Sequence, residues 1–184
     1  MHDLKEDMNE IQAAFEQWPR AKKIVLISLL SSFGAIFQSA GGFLPGVGYF
    51  ISPLATAPII VCSIFSIPLG LASYILTALL LLILQPSELI VFPFTTGLLG
   101  LFIGISFHQF RKRWSHILSG AAGLMFGICL LLYGLKFPVL GPAISHQFSV
   151  TVVGLIFIFS AFYSWIWVVL SARLIKRIRG IVFS

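Results

Sequence analysis

The sequence predicts an all-α polytopic membrane protein, a six-transmembrane-helix bundle preceded by a short amphipathic cytoplasmic helix. Three observations carry that prediction. Between Ile24 and Phe110 the only formally charged side chain is Glu88. A charge at the bilayer centre costs about 2.5–3.5 kcal/mol on insertion scales, so so long an uncharged stretch belongs in lipid. One crossing needs about 20 residues, and this stretch holds several. Finally, basic clusters stand at the edges of apolar segments, at Lys22-Lys23, at Arg111-Lys112-Arg113, and from Arg173 onward.

The elements follow in order. Residues 1–21 form an acidic amphipathic segment in which Met8, Ile11, Phe15 and Trp18 recur at helical spacing among Asp3, Glu6, Asp7, Glu10 and Glu16. Helices that lie on anionic lipid carry Lys and Arg, so this acidic one is expected to dock on protein. Six spans occupy residues 22–175, at about 24–40, 48–64, 67–85, 89–108, 115–133 and 149–172. The first ends at Gly41-Gly42 and the third at Gln85-Pro86-Ser87-Glu88. Residues 176–184 form a basic tail. Pro53 and Pro58 disturb the second span, leaving open a broken segment lining a cavity or a kinked helix packed on neighbours.

Six spans put both termini and the 109–114 loop on one side, with eleven of the twelve Lys and Arg residues; Lys136 alone lies opposite. The positive-inside rule makes that side the cytoplasm and the protein a multi-pass protein of the cell (plasma) membrane. The net charge of +6 therefore reads as orientation signal, and no nucleic-acid partner is expected. The N-terminus lacks the basic start of a cleavable signal peptide. Cys62 and Cys129 fall in apolar runs and are expected to be buried free thiols, with no metal-site spacing. Trp18, Trp114, Trp165 and Trp167 read as an aromatic belt near the cytoplasmic side. His108 and His116 bracket the basic loop and are expected to be solvated.

Candidate functional residues gather at the outer end. Glu88 is the only acid outside the N-terminal segment, and an ionisable group at the membrane is a functional candidate. Lys136 could pair with it as a surface ion pair, and His146 with Gln147 could line the same opening. Gln38, Phe43, Tyr49, Ser52, Thr56, Phe92, Thr95, Thr96 and Tyr133 fall near that end. An apolar recess with a few convergent polar groups suits a small-molecule ligand. Small residues recur at spacing four, at Ser28/Ser32, Ser31/Ala35, Gly100/Gly104 and Gly123/Gly127. Such faces let helices approach closely. Internal packing is the plainer reading for most, and the first span is the candidate for contact with another membrane subunit. No phosphate-binding Gly-x-x-x-x-Gly-Lys-Ser/Thr loop, Gly-x-Ser-x-Gly elbow or His-Glu-x-x-His motif occurs, and no cofactor, metal or catalytic group is expected.

In this order of segments the chain resembles the substrate-binding S components of energy-coupling factor (ECF) vitamin transporters. The similarity runs over roughly residues 22–175. It rests on the basic-flanked first helix from Lys22 to Ser32, Phe43-Leu-Pro-Gly-Val-Gly-Tyr-Phe-Ile-Ser-Pro, Ala57-Pro58-Ile-Ile, Ile67-Pro-Leu-Gly, and the run from Phe92 to Gly104. Related uncharacterised membrane families share much of this pattern. The resemblance implies six helices and a ligand site at the outer face, capped by the segment Gly41 to Gly48. It also implies reliance on a transmembrane coupling subunit and two cytoplasmic ATPases. The coupling face would fall on Ser28/Ser32 or Ser31/Ala35. The expected function is membrane-embedded binding of a vitamin-like small molecule for uptake. The alternatives are a non-transporting scaffold or assembly factor and, further off, a lipid-modifying enzyme.

Overall fold

In the computed structural model, which describes residues 4–137 and 149–182, with side chains through residue 180, the chain is all-α and carries no strand among those residues. Its elements are α1 (Leu4–Glu16), α2 (Arg20–Phe43), α3 (Gly48–Ile51), α4 (Thr56–Phe65), α5 (Ile67–Leu84), α6 (Glu88–Val91), α7 (Thr96–Gln109), α8 (Arg113–Cys129) and α9 (Val150–Val182). A 3-10 turn at Ser52–Ala55 joins α3 to α4, and another at Phe92–Phe94 joins α6 to α7. Six segments are long and apolar enough to cross a bilayer: Arg20–Phe43, Gly48–Phe65, Ile67–Leu84, Glu88–Gln109, Arg113–Gly134 and Val150–Gly180. Their outward surface is apolar, with Val25, Leu29 and Ile36 on α2, Ile75, Leu79 and Ile83 on α5, and Leu155, Ile158 and Phe162 on α9 all exposed. In water such a surface would aggregate; in hydrocarbon it is solvated. This is a multi-pass membrane protein.

Short connections make successive spans antiparallel. The starts of α2, α5 and α8 therefore meet the ends of α4, α7 and α9 at one end, which holds the basic residues. The α2–α3 and α5–α6 turns lie at the other. The local chemistry explains the boundaries. Ser66 turns the chain in an extended conformation (φ −164°, ψ 151°), and its hydroxyl accepts the Leu69 amide 3.3 Å away, capping α5. Pro68 follows inside the first turn, where no amide is needed. Gly46, at φ +80°, makes the α2–α3 turn.

Several expectations about the spans need adjusting. The first helix does not stop at Gly41-Gly42 but runs through them to Phe43. The Glu88 side chain lies over Gly41 and that of Gln85 over Gly42, so the missing Cβ atoms make room for neighbours rather than ending the helix. Only residues 44–47 remain as loop where a longer cap, Gly41 to Gly48, was expected. The second span stays helical through Pro53, tightening there into a 3-10 turn, whereas the fourth is interrupted after Pro93, where Thr95 (φ −122°, ψ −97°) leaves helical geometry. No break in α9 marks residue 176 as the start of a tail.

The core forms two groups. Ile60, Ile64, Leu99, Ile103, Leu124 and Ile128 unite α4, α7 and α8 with Ile156 and Val168 of α9. Ala35, Ala55, Ile59, Leu81 and Phe92 fill the space between α2, α4 and α5. The glycine pairs are packing faces: Gly104 of α7 receives Ser63 of α4, and Gly127 of α8 abuts the Phe94 carbonyl. At the basic end α1 docks across the bundle, burying Met8, Ile11 and Phe15. Its acids meet α9, where Arg179 lies 2.8 Å from Asp7 and 2.7 Å from Glu10. At 1.5 Å per residue, α9 is about 50 Å long, longer than the roughly 30 Å of hydrocarbon, so its end projects where α1 binds it.

Candidate functional site

A cavity of about 460 Å³ opens at the end opposite the basic residues. The 3-10 segments of the second and fourth spans flank it. Tyr49, Ser52 and Pro53 come from the second span at its 3-10 turn, and Ser87, Glu88, Val91, Thr95 and Thr96 from the interrupted fourth. Gln38 and Gly41 of α2, Leu124 and Ile128 of α8, Phe137, and Phe159 and Tyr163 of α9 complete the wall. Irregular backbone at this depth survives where protein or a wet recess covers its polar groups, and here it borders the recess.

Its polar centre is a three-residue chain. Gln38, 2% exposed, donates from Nε2 to Glu88 Oε2 at 2.8 Å. Thr96 Oγ1 donates to Gln38 Oε1 at 2.7 Å. The carboxylate can only accept, so the amide must turn its NH2 to Glu88 and its oxygen to Thr96. Glu88 Oε1 lies over the bare Cα of Gly41, 3.1 Å from where a Cβ would stand. Below, the Thr56 hydroxyl approaches Tyr163 without a well-formed hydrogen bond.

Of the residues singled out from the sequence, the structure brings Gln38, Tyr49, Ser52, Glu88, Thr95 and Thr96 to this cavity. It places others elsewhere. Phe92 is fully buried in the core, stacked on Tyr74 at 5.6 Å, because the 3-10 turn rotates it inward. Phe43, the last residue of α2, is exposed. Thr56 is buried beneath the wall rather than in it, and Tyr133 packs against the α4–α7–α8 core. Lys136 is exposed, at φ +54°, and no ion pair joins it to Glu88, which turns inward to Gln38 instead. The expected Glu88–Lys136 surface pair is therefore not formed. His146 and Gln147 lie outside the described residues.

On α2 the two small-residue pairs part company. Ser28 and Ser32 are exposed, the Ser32 hydroxyl donating to Ser28 O at 2.8 Å. Ser31 and Ala35 are buried and cannot face a partner; Ser31 Oγ lies 3.0 Å from Ser73 Oγ of α5, and Thr77 Oγ1 donates to Ser31 O. Of His116 and His108, the first is not solvated and the second only partly so. His116 is buried on the Phe107 ring (4.5 Å), its Nδ1 3.1 Å from Ser106 Oγ. His108 bridges Gln12 of α1 (3.1 Å) and the Ser63 carbonyl (2.6 Å). Trp167 is likewise in the core, while Trp114 and Trp165 are exposed. Cys62 and Cys129 are free thiols; Cys62 is buried and Cys129 partly exposed.

Sequence reasoning missed Phe137, Phe159 and Tyr163. In a chain rich in aromatic residues, nothing in the one-dimensional pattern separates an aromatic that faces lipid from one that faces a cavity. Two other recesses lie at the basic end, one along Glu10, Lys176 and Arg179, the other beside Gln12, Phe65 and His108. Both are open grooves at the seams of docked α1, walled by its own contacts. Comparison with protein-family models, curated proteins and solved structures gives no match to this chain.

Proposed function

We propose that this protein is a membrane-embedded binding subunit for a small, vitamin-like molecule, acting in uptake in the manner of the ECF S components it resembles. The observation that carries the reading is the cavity: about 460 Å³, apolar and aromatic in its walls, with Gln38, Glu88 and Thr96 converging on it. Small-molecule sites have this size and this mixture. The eleven-to-one division of Lys and Arg supports a cytoplasmic basic end, with both termini in the cytoplasm and the cavity open to the outside. A ligand would then be taken from the external medium.

Movement of that ligand across the membrane needs an energy source, and the chain has no phosphate-binding loop. A transmembrane coupling subunit and cytoplasmic ATPases fill the role. The exposed Ser28/Ser32 face of α2 offers close approach to the coupling subunit. A scaffold would use its acidic N-terminal segment as a partner arm and fill its bundle. Here α1 is engaged by the chain's own Arg179, and the bundle is hollow at one end, which favours the binder.

Affinity purification from cell membranes, with mass spectrometry of both the proteins and the small molecules retained, tests the proposal. The expected result is a membrane subunit, ATPases and a stoichiometric organic ligand. Ser28→Leu with Ser32→Leu should lose the protein partners and keep the ligand. Recovery of the chain with neither would contradict the reading.

A further inference from the structure

We infer that the cavity selects an organic cation, a compact molecule with an ammonium or comparable cationic nitrogen attached to an apolar or aromatic body. This rests on the reading of the cavity as a ligand site and adds the chemical class of the ligand. Glu88 is the one formal charge among the wall residues, and it is negative. Its Oε2 accepts a neutral amide hydrogen from Gln38, which fixes the carboxylate without neutralising it. Its Oε1 lies over Gly41, which has no side chain to cover it, with the Ser52 side chain alongside.

Among the described residues of the wall none supplies the missing positive charge. Between Phe137 and Ala172 the sequence contains no Lys or Arg, and Lys136 is exposed on the connection after α8. An anionic ligand would meet Glu88 with no cation among the wall residues to offset it. A neutral ligand would leave the carboxylate partly desolvated and without a counter-charge, which is costly. A cationic ligand resolves both. The rest of the wall suits it: Tyr49, Phe137, Phe159 and Tyr163 line the cavity, and Phe159 stacks on Tyr163 at 5.7 Å with planes 12° apart. Aromatic faces attract cations and also pack against an apolar body.

Three probes of similar size separate the classes: phenethylammonium, phenethyl alcohol and phenylacetate, titrated onto the full-length chain in detergent by calorimetry. The wild type should bind the ammonium about tenfold or more tighter than the alcohol, the advantage expected for a charge-assisted contact, and phenylacetate weakest. Glu88→Gln keeps the size of the side chain and an acceptor for Gln38, so the fold should persist, as checked by thermal melting. In that variant the preference of ammonium over alcohol should vanish. Equal binding of alcohol and ammonium by the wild type, or tighter binding of phenylacetate, would overturn the cation assignment while leaving a ligand site. Binding of none of the three would overturn the assignment together with the proposed function. A preference that survives in Glu88→Gln would also overturn it, since Glu88 would not be its source.

Discussion

At the residue scale the centre of the account is Gln38, whose amide holds Thr96 with one end and Glu88 with the other. Gln38→Leu removes both bonds and leaves a hydroxyl and a carboxylate short of partners. The loss should be about 1–3 kcal/mol of stability, read as a lower melting temperature, together with loss of ligand binding. Gly127→Ala tests packing alone. A Cβ there meets the Phe94 carbonyl, so the 3-10 turn must shift, at about 1–3 kcal/mol. Residues such as Gln38, Ser52, Glu88 and Thr96 could be assigned to one site from the sequence because six alternating spans bring their positions to one end. Phe92, Thr56 and Tyr133 could not be excluded. Which way a side chain faces depends on helix rotation, and 3-10 turns at Pro53 and Pro93 alter that rotation locally. Charge alone pairs Glu88 with Lys136, but the Gln38 amide of α2, 2.8 Å away, is its partner in the fold.

At the scale of elements, α1 is held by a charge pattern divided between the two ends of the chain. Asp7 is almost fully buried beside Arg179, and Glu10 shares the same guanidinium. Arg179→Ala should free α1 from α9, raising hydrogen exchange in residues 4–16 and costing about 1–3 kcal/mol. The membrane spans themselves should exchange no faster. The amphipathic face and acidity of α1 are plain in the sequence and point to docking on protein; that the dock is the chain's own last helix is not, because the basic residues beyond 172 read as a tail rather than a continuation of α9. Serines on α2 give a contrast of the same kind. Ser31→Leu must intrude on Ser73 of α5 and should destabilise the bundle, whereas Ser28→Leu and Ser32→Leu point outward and should leave the melting temperature nearly unchanged.

For the whole molecule, uncharged length and the placement of Lys and Arg give the six-span bundle directly, since the bilayer penalises charge far more than it distinguishes among apolar side chains. The same indifference hides the cavity: Leu124, Ile128 and Phe159 serve a wall or a lipid surface equally well as letters in a row. Orientation is open to test. A single cysteine at Arg113, in a background without Cys62 and Cys129, should resist an impermeant thiol reagent in intact cells and react once the membrane is opened. The central claim, that the recess beside Glu88 holds a small molecule, is tested most directly by native mass spectrometry of the full-length chain released from micelles. The comparison is wild type against Ser52→Trp, in which the indole fills the recess. The account predicts a dissociable organic adduct on the wild type and its loss in Ser52→Trp, with both proteins folded. An adduct equally abundant on the two, or none on the wild type, would contradict it.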